Sequence, residues 1–307
     1  MLRQGLLFLS ESGVARMLVT HAPFARWAAR RFVVGETMDE AVDAARTLNA
    51  KGVTVSLDYL GESVTNRDEA IGAADTYLRI IDRMAAEGLD GNVSLKLTQM
   101  GQDIDEAFLH TNVTRVLGRA RERGLFVRFD MESSEYVQPT LDFFGRLRGE
   151  GYDNCGVVLQ SYLYRTVEDV KWANELGARV RLCKGAYAEP PEVAYPEKSD
   201  VDASFVRSMK LLLEHGAYPG IATHDEAMID ATTSFARERG IDPSRFEFQM
   251  LYGIRRDLQD QLVADGWRLR VYMGFGAAWY PYFMRRLAER PANVLFVASN
   301  VFRELFR

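Results

Sequence analysis

Cysteine and histidine are scarce in this chain of 307 residues, which holds two of the former and four of the latter. Two cysteines do not make a disulfide framework. The strand pattern places Cys155 at the start of the fourth predicted strand and Cys183 at the end of the fifth, and a rise of about 3.3 Å per residue keeps their thiols beyond bridging distance. No histidine has another four residues away, so the spacing of a helical zinc site is missing. These absences argue against a metal centre and fit a reducing cytoplasm.

Long apolar runs and tracts of like charge are also missing. No stretch approaches the roughly 18 apolar residues that cross a bilayer, and the run at residues 6–9 is too short for a signal core before Glu11. The formal net charge is −5 with no basic tract, which argues against nucleic acid as a partner. The chain has no nucleophile elbow and no G-x-G-x-x-G fingerprint, so any dinucleotide is held in another manner than the Rossmann one.

Eight short runs rich in β-branched or aromatic residues recur along the chain, and nearly every one ends on a polar or charged residue. They lie at residues 53–58, 93–98, 125–130, 157–160, 178–184, 220–224, 245–249 and 269–272. Stretches with apolar residues at three- and four-residue spacing separate them, which predicts strand and helix in alternation eight times over. This rhythm is typical of a closed (βα)8 barrel, an α/β fold whose strands all end at one face, where functional groups collect.

The whole chain, residues 1–307, is predicted to form a single domain. Residues 1–50 are expected to form two or three helices packed on the barrel, the last opened by a capping box between Thr37 and Glu40. The barrel is assigned to residues 53–290, with a helix over about 279–289 after the eighth strand. A C-terminal helix is expected over residues 293–307. Its apolar stripe is favoured to pack on protein, with peripheral docking on a membrane as the alternative.

Lysine is rare, with six residues against 32 arginines, yet Lys96 and Lys184 both stand at strand ends. Asp58, Glu62 and Asp130 supply carboxylates on the same rim. Charges drawn into a barrel mouth are costly unless they pair with each other or with a ligand. The cluster therefore indicates either a binding site or a structural ion-pair network, and its place at the strand ends favours the binding site.

A second cluster lies on the helix after the eighth strand and contains Tyr282, Arg285, Arg286 and Glu289. Arg285 and Glu289 are four residues apart and can pair on one helix face. Two adjacent arginines present forked donors that match a carboxylate or a phosphate. Such a string is more often an ordinary solvated helix face, but barrels commonly bind an anion after the eighth strand, which favours a clamp for a small anionic substrate.

The residues alone predict a barrel that binds a small carboxylate or phosphate compound and acts on it. Two other functions stay open. One is a Schiff-base aldolase, with Lys96 or Lys184 as the amine and residues 274–276 in a phosphate loop. The other is a barrel that binds an amino acid without turning it over. Borohydride trapping with a keto substrate would identify the aldolase.

Seven longer strings stand at the strand ends and on the helix after the eighth strand. They read SLKLTQ at 94–99, RFDME at 128–132, LQSYL at 159–163, RLCKGAY at 181–187, ATHD at 222–225, FEFQ at 246–249 and WYPYFMRRLAER at 279–290. In this order they closely resemble the FAD-dependent proline dehydrogenases, particularly the short bacterial single-function form. The resemblance runs from about Phe32 to the end of the chain and is far more specific than any single motif.

The resemblance implies a distorted barrel that holds FAD non-covalently across its strand ends, with the last helix as a lid over the mouth. The implied reaction oxidises L-proline to Δ1-pyrroline-5-carboxylate by hydride transfer from C5 to the flavin N5. This is the first step of proline catabolism to glutamate, and a membrane quinone then takes the electrons. Hydride loss from C5 builds positive charge on the ring nitrogen, so the amine must be neutral, which an apolar pocket favours.

The resemblance also implies roles for individual residues. Asp130 and Arg181 match positions treated as catalytic, with Arg181 facing the reacting edge of the flavin. The implied substrate contacts are Lys96, Arg285 and Arg286 on the carboxylate, Glu289 to orient Arg285, Glu62 as a gate to the same arginine, and Tyr187, Leu251, Tyr272 and Tyr282 along the proline ring. The implied flavin contacts, besides Arg181, are Met131, Gln160, Lys184, Gly185, Ala186, Thr223, His224 and Gln249.

Some positions depart from the family pattern. Gly274 stands where relatives usually carry proline, and residues 277–278 are alanines where polar residues are common. Glycine is expected to loosen a loop between Tyr272 and the arginine helix, which predicts a more mobile helix and a weaker substrate clamp. Cys183 replaces a usual valine next to the flavin and is expected to pack as a small hydrophobe without a redox role.

Overall fold

A closed barrel of eight parallel strands forms the centre of the molecule, as the sequence predicts. The computed structural model describes residues 32–280 and 282–284. The strands follow each other around the barrel in chain order, and the eighth pairs with the first. They run over Thr54–Tyr59 (β1), Gly91–Leu95 (β2), Val127–Phe129 (β3), Cys155–Gln160 (β4), Arg179–Cys183 (β5), Gly220–Ala222 (β6), Glu247–Leu251 (β7) and Leu269–Phe275 (β8).

Helices precede the barrel and connect its strands. They run over Met38–Asn49 (α1), Arg67–Ala86 (α2), Glu106–Glu122 (α3), Ser134–Gly149 (α4), Thr166–Glu175 (α5), Lys198–His215 (α6), Glu226–Glu238 (α7) and Arg256–Ala264 (α8). Short 3-10 turns lie at Thr98–Met100 and Pro243–Arg245. The predicted capping box is present at α1, where Thr37 and Glu40 each accept a hydrogen bond from the other's backbone amide.

Alternation along the strands separates an apolar layer from a polar one. In β1, Val55 and Leu57 are buried in the main hydrophobic core, together with apolar residues of the outer helices. Ser56 and Asp58 occupy the alternate positions and are equally buried. Because successive side chains of a strand point to opposite faces, these polar residues line the barrel interior. Their hydrogen bonds to side chains of β2 and of the residue after it agree with this placement.

The eighth strand is longer than predicted, and the expected loop at Gly274 is wrong. β8 continues to Phe275, and Gly274 is paired with Asp58 of β1. The carbonyl of Gly274 also accepts a hydrogen bond from the amide of Val34 at 3.0 Å. A side chain at this position would bring a Cβ within 2.8 Å of the Leu60 side chain. Glycine here permits close packing within a strand instead of loosening a loop.

A second apolar cluster covers part of the barrel end at which β1, β7 and β8 finish. Leu251 and Tyr272 pack against it. Residues 279, 280 and 282–284 are helical, so the helix after β8 begins where it was predicted. The buried members of this cluster are Phe32, Val33, Leu60, Ile254, Trp279, Tyr280, Tyr282, Phe283 and Met284.

Both cysteines are free thiols, as expected, with Cys155 buried at the start of β4 and Cys183 half-buried at the end of β5. Burial raises the pKa of the Cys155 thiol to about 12. Across the described part of the chain, no helix has the length and apolar character needed to cross a membrane. The helices expected before residue 32 and over residues 293–307 lie outside the described residues.

Candidate active site at the barrel mouth

Charged side chains from the first three strands meet at the carboxyl end of the barrel. Lys96 follows β2, and its Nζ lies 3.5 Å from Asp58 Oδ2 of β1 and 3.9 Å from Asp130 Oδ2 after β3. At most 9% of any of these three residues is exposed. The structure therefore brings together the lysine and the two aspartates that sequence analysis placed on one rim.

Arg181 joins this group from the opposite side of the barrel. Its Nη1 donates to Asp130 Oδ1 at 2.7 Å, and its Nε donates to Gln249 Oε1 of β7. Its Nη2 donates to Ser94 Oγ of β2 at 3.2 Å and lies 3.4 Å from Ser56 Oγ of β1. Because β5 lies across the barrel from β1, a side chain with these partners must cross the interior just below the mouth.

Tyr272 of β8 completes the set around Asp130. Its hydroxyl donates to Asp130 Oδ2 at 2.6 Å, and the guanidinium carbon of Arg181 lies 5.1 Å from the centre of its ring. Burial, together with the negative charges of Asp130 and Asp58, raises the pKa of the Tyr272 phenol well above its ordinary value. Tyr272 is therefore a neutral donor, and both oxygens of Asp130 are held by hydrogen bonds.

Lys96 is positively charged despite its burial. Burial by itself would lower the pKa of Lys96, but the attraction of Asp58, Asp130 and Glu62 outweighs this and raises it. Burial also raises the pKa of Asp58, with Lys96 opposing that shift and Asp130 adding to it. The mouth thus presents a fixed ammonium group among carboxylates.

The ends of β4 and β5 form a cradle at the rim. The amide of Gln160 donates to the backbone oxygen of Glu132 at 3.1 Å, whereas its Oε1 is buried without a hydrogen-bond partner in the described ranges. Gly185 has a φ of +113°, and any Cβ there would overlap the ring of Tyr162. Gly185 is therefore a position where close packing of Tyr162 requires glycine, and the free buried acceptor of Gln160 is the feature expected where an external polar group binds.

Lys184, the other strand-end lysine, is held by carboxylates of the protein. Its Nζ contacts Asp202 of α6 and lies 2.7 Å from Asp225 Oδ2 after β6. Lys198 joins the same two carboxylates from the start of α6. Because 24% of the Lys184 side chain is exposed, it stays accessible at the edge of the mouth.

The remaining predicted contacts are spread around the rim. His224 Nε2 accepts a hydrogen bond from the amide of Leu251 at 2.9 Å, so this nitrogen carries no proton. Thr223 Oγ1 accepts from the amide of Asp225 at 3.1 Å. Tyr187 and Ala186 are half-buried after β5, Met131 and Tyr282 are buried, and Glu62 is half-buried after β1.

Arg285, Arg286 and Glu289, the predicted clamp, lie outside the described residues. Over residues 32–280 and 282–284, no group of three or more histidine, cysteine, aspartate or glutamate side chains is placed to hold a metal ion. Among the described residues, Lys96 and Arg181 are basic groups at the mouth, and Lys184 lies at its edge with Lys198.

Several buried polar residues of the barrel interior were missed by sequence analysis. Glu247 and Arg270 form an ion pair at 2.6 Å between the starts of β7 and β8. Glu132, two residues beyond Asp130, is 6% exposed and accepts hydrogen bonds from Thr98. Polar residues at alternate positions within one predicted strand, as at 247 and 249 or 270 and 272, are the signal that could have found the first pair.

Comparison with known protein families gives one match that covers most of the chain. The family model described as proline dehydrogenase matches residues 41–299. The chain is also 42% identical over 299 residues to proline dehydrogenase 2 of Bacillus subtilis (strain 168), covering 97% of this chain and 98% of that protein. It is 43% identical over 279 residues to proline dehydrogenase of Deinococcus radiodurans, with 90% of each chain covered.

A solved structure shares the fold. The crystal structure of proline utilization A (PutA) from Bdellovibrio bacteriovorus, inactivated by N-propargylglycine, matches with a TM-score of 0.80 and 28% identity. The match covers 86% of this chain and 32% of the other, so this chain spans about a third of the length of that larger protein.

Proposed function

This chain belongs to the proline dehydrogenase family, whose members are oxidoreductases that act on proline, and we propose that it oxidises L-proline to Δ1-pyrroline-5-carboxylate with a bound FAD as hydride acceptor. The reaction is the first step of proline catabolism to glutamate. The observation that carries the proposal is the buried group of Lys96, Asp130, Arg181 and Tyr272 at the carboxyl end of the barrel. It offers an ammonium group for a small carboxylate and a guanidinium group beside a cofactor that would gain negative charge on accepting hydride.

The rim between β4 and β7 fits a flavin. The free buried oxygen of Gln160 can accept from an imide or a hydroxyl group. FAD, when bound, supplies the hydride acceptor. The residues that would hold it are Met131, Gln160, Arg181, Lys184, Gly185, Ala186, Thr223, His224 and Gln249. Asp130 and Gln249 hold the guanidinium of Arg181 in place. Because this group is cationic, it would favour negative charge on the cofactor.

Lys96 would bind the proline carboxylate, since it is an ammonium ion fixed by Asp58 and Asp130. Arg285 and Arg286 would complete the clamp, with Glu289 and Glu62 orienting or gating Arg285. Tyr187, Leu251, Tyr272 and Tyr282 would line the ring. The packing of Leu251 and Tyr272 on the second apolar cluster provides surroundings that favour the neutral amine from which hydride can leave.

The surroundings of Lys96 and Lys184 weigh against a Schiff-base aldolase. An amine must be neutral to attack a carbonyl carbon, and such lysines have lowered pKa values. The pKa of Lys96 is instead raised, and Lys184 is paired with two aspartates. Neither lysine has the surroundings of an amine nucleophile.

A membrane quinone is the proposed electron acceptor of this protein, which we place in the cytoplasm. The helix predicted over residues 293–307 is favoured to pack on protein, and peripheral contact with the inner face of the cell membrane is the alternative. No nucleic acid takes part.

Substitution of Lys96 tests the substrate assignment. In the Lys96→Met variant, KM for proline should rise about 10- to 100-fold, the equivalent of about 1.5–3 kcal/mol, because a charged hydrogen bond to the carboxylate is lost. The measurement is formation of Δ1-pyrroline-5-carboxylate at varied proline. Lys210→Met is the matched control, since Lys210 of α6 lies over the ring of Phe235 away from the mouth and should leave KM unchanged. An unchanged KM in Lys96→Met would refute the role of Lys96.

A further inference from the structure

The buried carboxylate of Glu247 is connected to Arg181 through the side chain of Gln249. We propose that Glu247 is a positioning residue, which fixes the side-chain amide of Gln249 and through it the guanidinium of Arg181. This inference rests on the proposed function, because Arg181 is the group that faces the cofactor. Glu247 itself touches neither substrate nor cofactor, since it lies two residues before Gln249 at the start of β7.

A continuous set of hydrogen bonds connects Glu247 to the mouth. Gln249 Nε2 donates to Glu247 Oε1 at 2.6 Å, and Gln249 Oε1 accepts from Arg181 Nε. Arg181 Nη1 then donates to Asp130 Oδ1 at 2.7 Å, and Tyr272 donates to the other oxygen of Asp130. Glu247, Gln249 and Arg181 are each at most 6% exposed, so water cannot replace these partners.

The chemistry of the donors and acceptors permits one orientation of Gln249. An ionised carboxylate only accepts hydrogen bonds, and a guanidinium only donates them. The NH2 group of Gln249 must therefore face Glu247, and its carbonyl oxygen must face Arg181. A reversed amide would set oxygen against carboxylate and NH2 against Arg181 Nε, so that both polar groups of the Gln249 amide and Arg181 Nε would lose these partners. Glu247 thus determines that the carbonyl oxygen of Gln249 faces Arg181 and accepts the hydrogen bond from its Nε.

Glu247 is itself fixed by two groups besides Gln249. Arg270 Nε and Nη2 donate to its two oxygens at 2.6 and 3.0 Å, and the hydroxyl of Tyr218 donates to Oε2 at 3.1 Å. Burial alone would raise the pKa of Glu247, but the charge of Arg270 and these hydrogen bonds hold it below its ordinary value. Glu247 is therefore charged whenever the protein is folded near neutral pH.

Tyr218 adds a second sign of a fixed arrangement. Its φ is +61°, a left-handed backbone conformation that is unfavourable for a tyrosine. Such a conformation persists only where surrounding contacts hold it. Here the phenol donates to Glu247 and accepts from Arg268, and the ring lies 5.4 Å from the guanidinium carbon of Arg179.

Four N–H or O–H groups donate to the two oxygens of Glu247, from Gln249 Nε2, Arg270 Nε and Nη2, and the Tyr218 hydroxyl. In Glu247→Gln, one side-chain oxygen remains to accept from them. The NH2 group that replaces the second oxygen must face either Gln249 or the pair formed by Arg270 and Tyr218, so some donors lose their acceptor. Gln249 can then reverse, and Arg181 loses its Nε partner. We expect kcat to fall about 10-fold with less than a two-fold change in KM for proline, because Lys96 still binds the carboxylate.

A double-mutant cycle with Glu247→Gln, Gln249→Met and the double variant tests the inference. Methionine has no amide to orient, so Glu247→Gln should lower kcat less than two-fold in the Gln249→Met background. The midpoint potential of the bound flavin is the second measurement. Each single variant should make it more negative, since a displaced Arg181 stabilises the reduced flavin less, and the double variant should shift it no further. Additive effects on kcat and on the potential would overturn the inference.

Asp169→Asn is the control for the loss of a buried ion pair. Asp169 of α5 is 8% exposed and accepts from Arg165 Nε and Nη2 at 2.7 and 2.9 Å. This variant should lower the melting temperature while kcat and the flavin potential stay as in the parent protein.

If Glu247→Gln does not fold, Tyr218→Phe replaces it in the cycle, with an expected two- to five-fold loss of kcat. Persistence of that loss in the Gln249→Met background would equally overturn the inference.

A wild-type protein without flavin or turnover would refute the proposed function instead. An active wild type with an additive cycle would refute only the role of Glu247.

Discussion

Glu132 is a buried carboxyl group beside the mouth whose charge changes near neutral pH. Both of its oxygens lie 2.9 Å from the hydroxyl of Thr98. Burial raises the pKa of Glu132 to about 7, with Lys96 and Thr98 opposing the shift and Glu62 adding to it. Thr98 also accepts a hydrogen bond from the amide of Ser63, so Glu132 is linked to the loop after β1 that carries Glu62.

This raised pKa predicts a pH dependence of stability with a definite sign. The folded protein keeps the Glu132 proton between about pH 4.5 and 7, whereas the unfolded chain releases it. The stabilisation is therefore full below about pH 4.5 and is lost by about pH 7, and it amounts to about 3 kcal/mol at most.

In urea unfolding with saturating FAD, the parent protein should lose free energy of unfolding from pH 5 to pH 8 relative to Glu132→Gln. Glu135→Gln, at an exposed position on α4, is the control and should follow the parent. Parallel pH profiles for the parent and Glu132→Gln would contradict the assignment.

At the scale of single residues, position in a strand decided what could be predicted. Lys96, Asp58 and Asp130 stand at predicted strand ends, and parallel strands bring their ends together, so their meeting could be foreseen. Glu247 does not stand at a strand end, and only the polar residues that alternate at 247 and 249 indicate that it faces the interior. Its partner Arg270 is 23 residues away, and this alternation does not show which interior charges will pair. Position alone also does not give charge states such as that of Glu132.

At the scale of elements, the segment after β5 is tied to two neighbouring loops by one carboxylate. Glu189 accepts from the amide of Ser134 at 2.8 Å, at the start of α4, and also contacts the Ser134 hydroxyl. The hydroxyl of Tyr162 lies 3.3 Å from the same carboxylate. A negative group at a helix N-terminus is favourable. Because the ring of Tyr162 packs on Gly185, Glu189 fixes the backbone proposed to hold the flavin.

Removal of this link should weaken cofactor binding. In Glu189→Ala, the dissociation constant of FAD should rise about 10-fold, the equivalent of about 1.4 kcal/mol, because a hydrogen bond between a charged group and a helix amide is lost. Equilibrium dialysis of FAD measures this directly. Glu192→Ala is the matched control, since Glu192 is exposed on the same segment. Equal FAD affinities in Glu189→Ala and Glu192→Ala would remove Glu189 from this role.

Element boundaries were less predictable than element types. β8 was expected to stop at Tyr272 and to be followed by a loop at Gly274, and it continues to Phe275. The pairing of Gly274 with Asp58 and the hydrogen bond from Val34 extend the strand. Tertiary pairing thus overrides the local preference of glycine, and a single sequence does not contain that information.

At the scale of the whole molecule, closure of the barrel is what creates the site. Arg181 of β5 contacts side chains of β1, β2 and β7 and of the residue after β3, which only a closed sheet can bring within its reach. The eight-fold alternation of strand and helix predicted this closure, because eight parallel strands, each followed by a helix, are typical of a closed barrel. The alternation of strand and helix does not show whether the side chains inside the barrel are polar or apolar, so the interior hydrogen bonds were not predicted.

The central proposal for this molecule is a flavin that binds at this mouth and is reduced by proline. The most direct measurement is the visible absorption spectrum of the purified protein, reconstituted with FAD, during anaerobic addition of L-proline. We predict flavin absorption bands in the protein that disappear as proline is added, with formation of one Δ1-pyrroline-5-carboxylate per flavin. A protein that remains colourless after reconstitution, or whose flavin bands persist at saturating proline, would contradict the account.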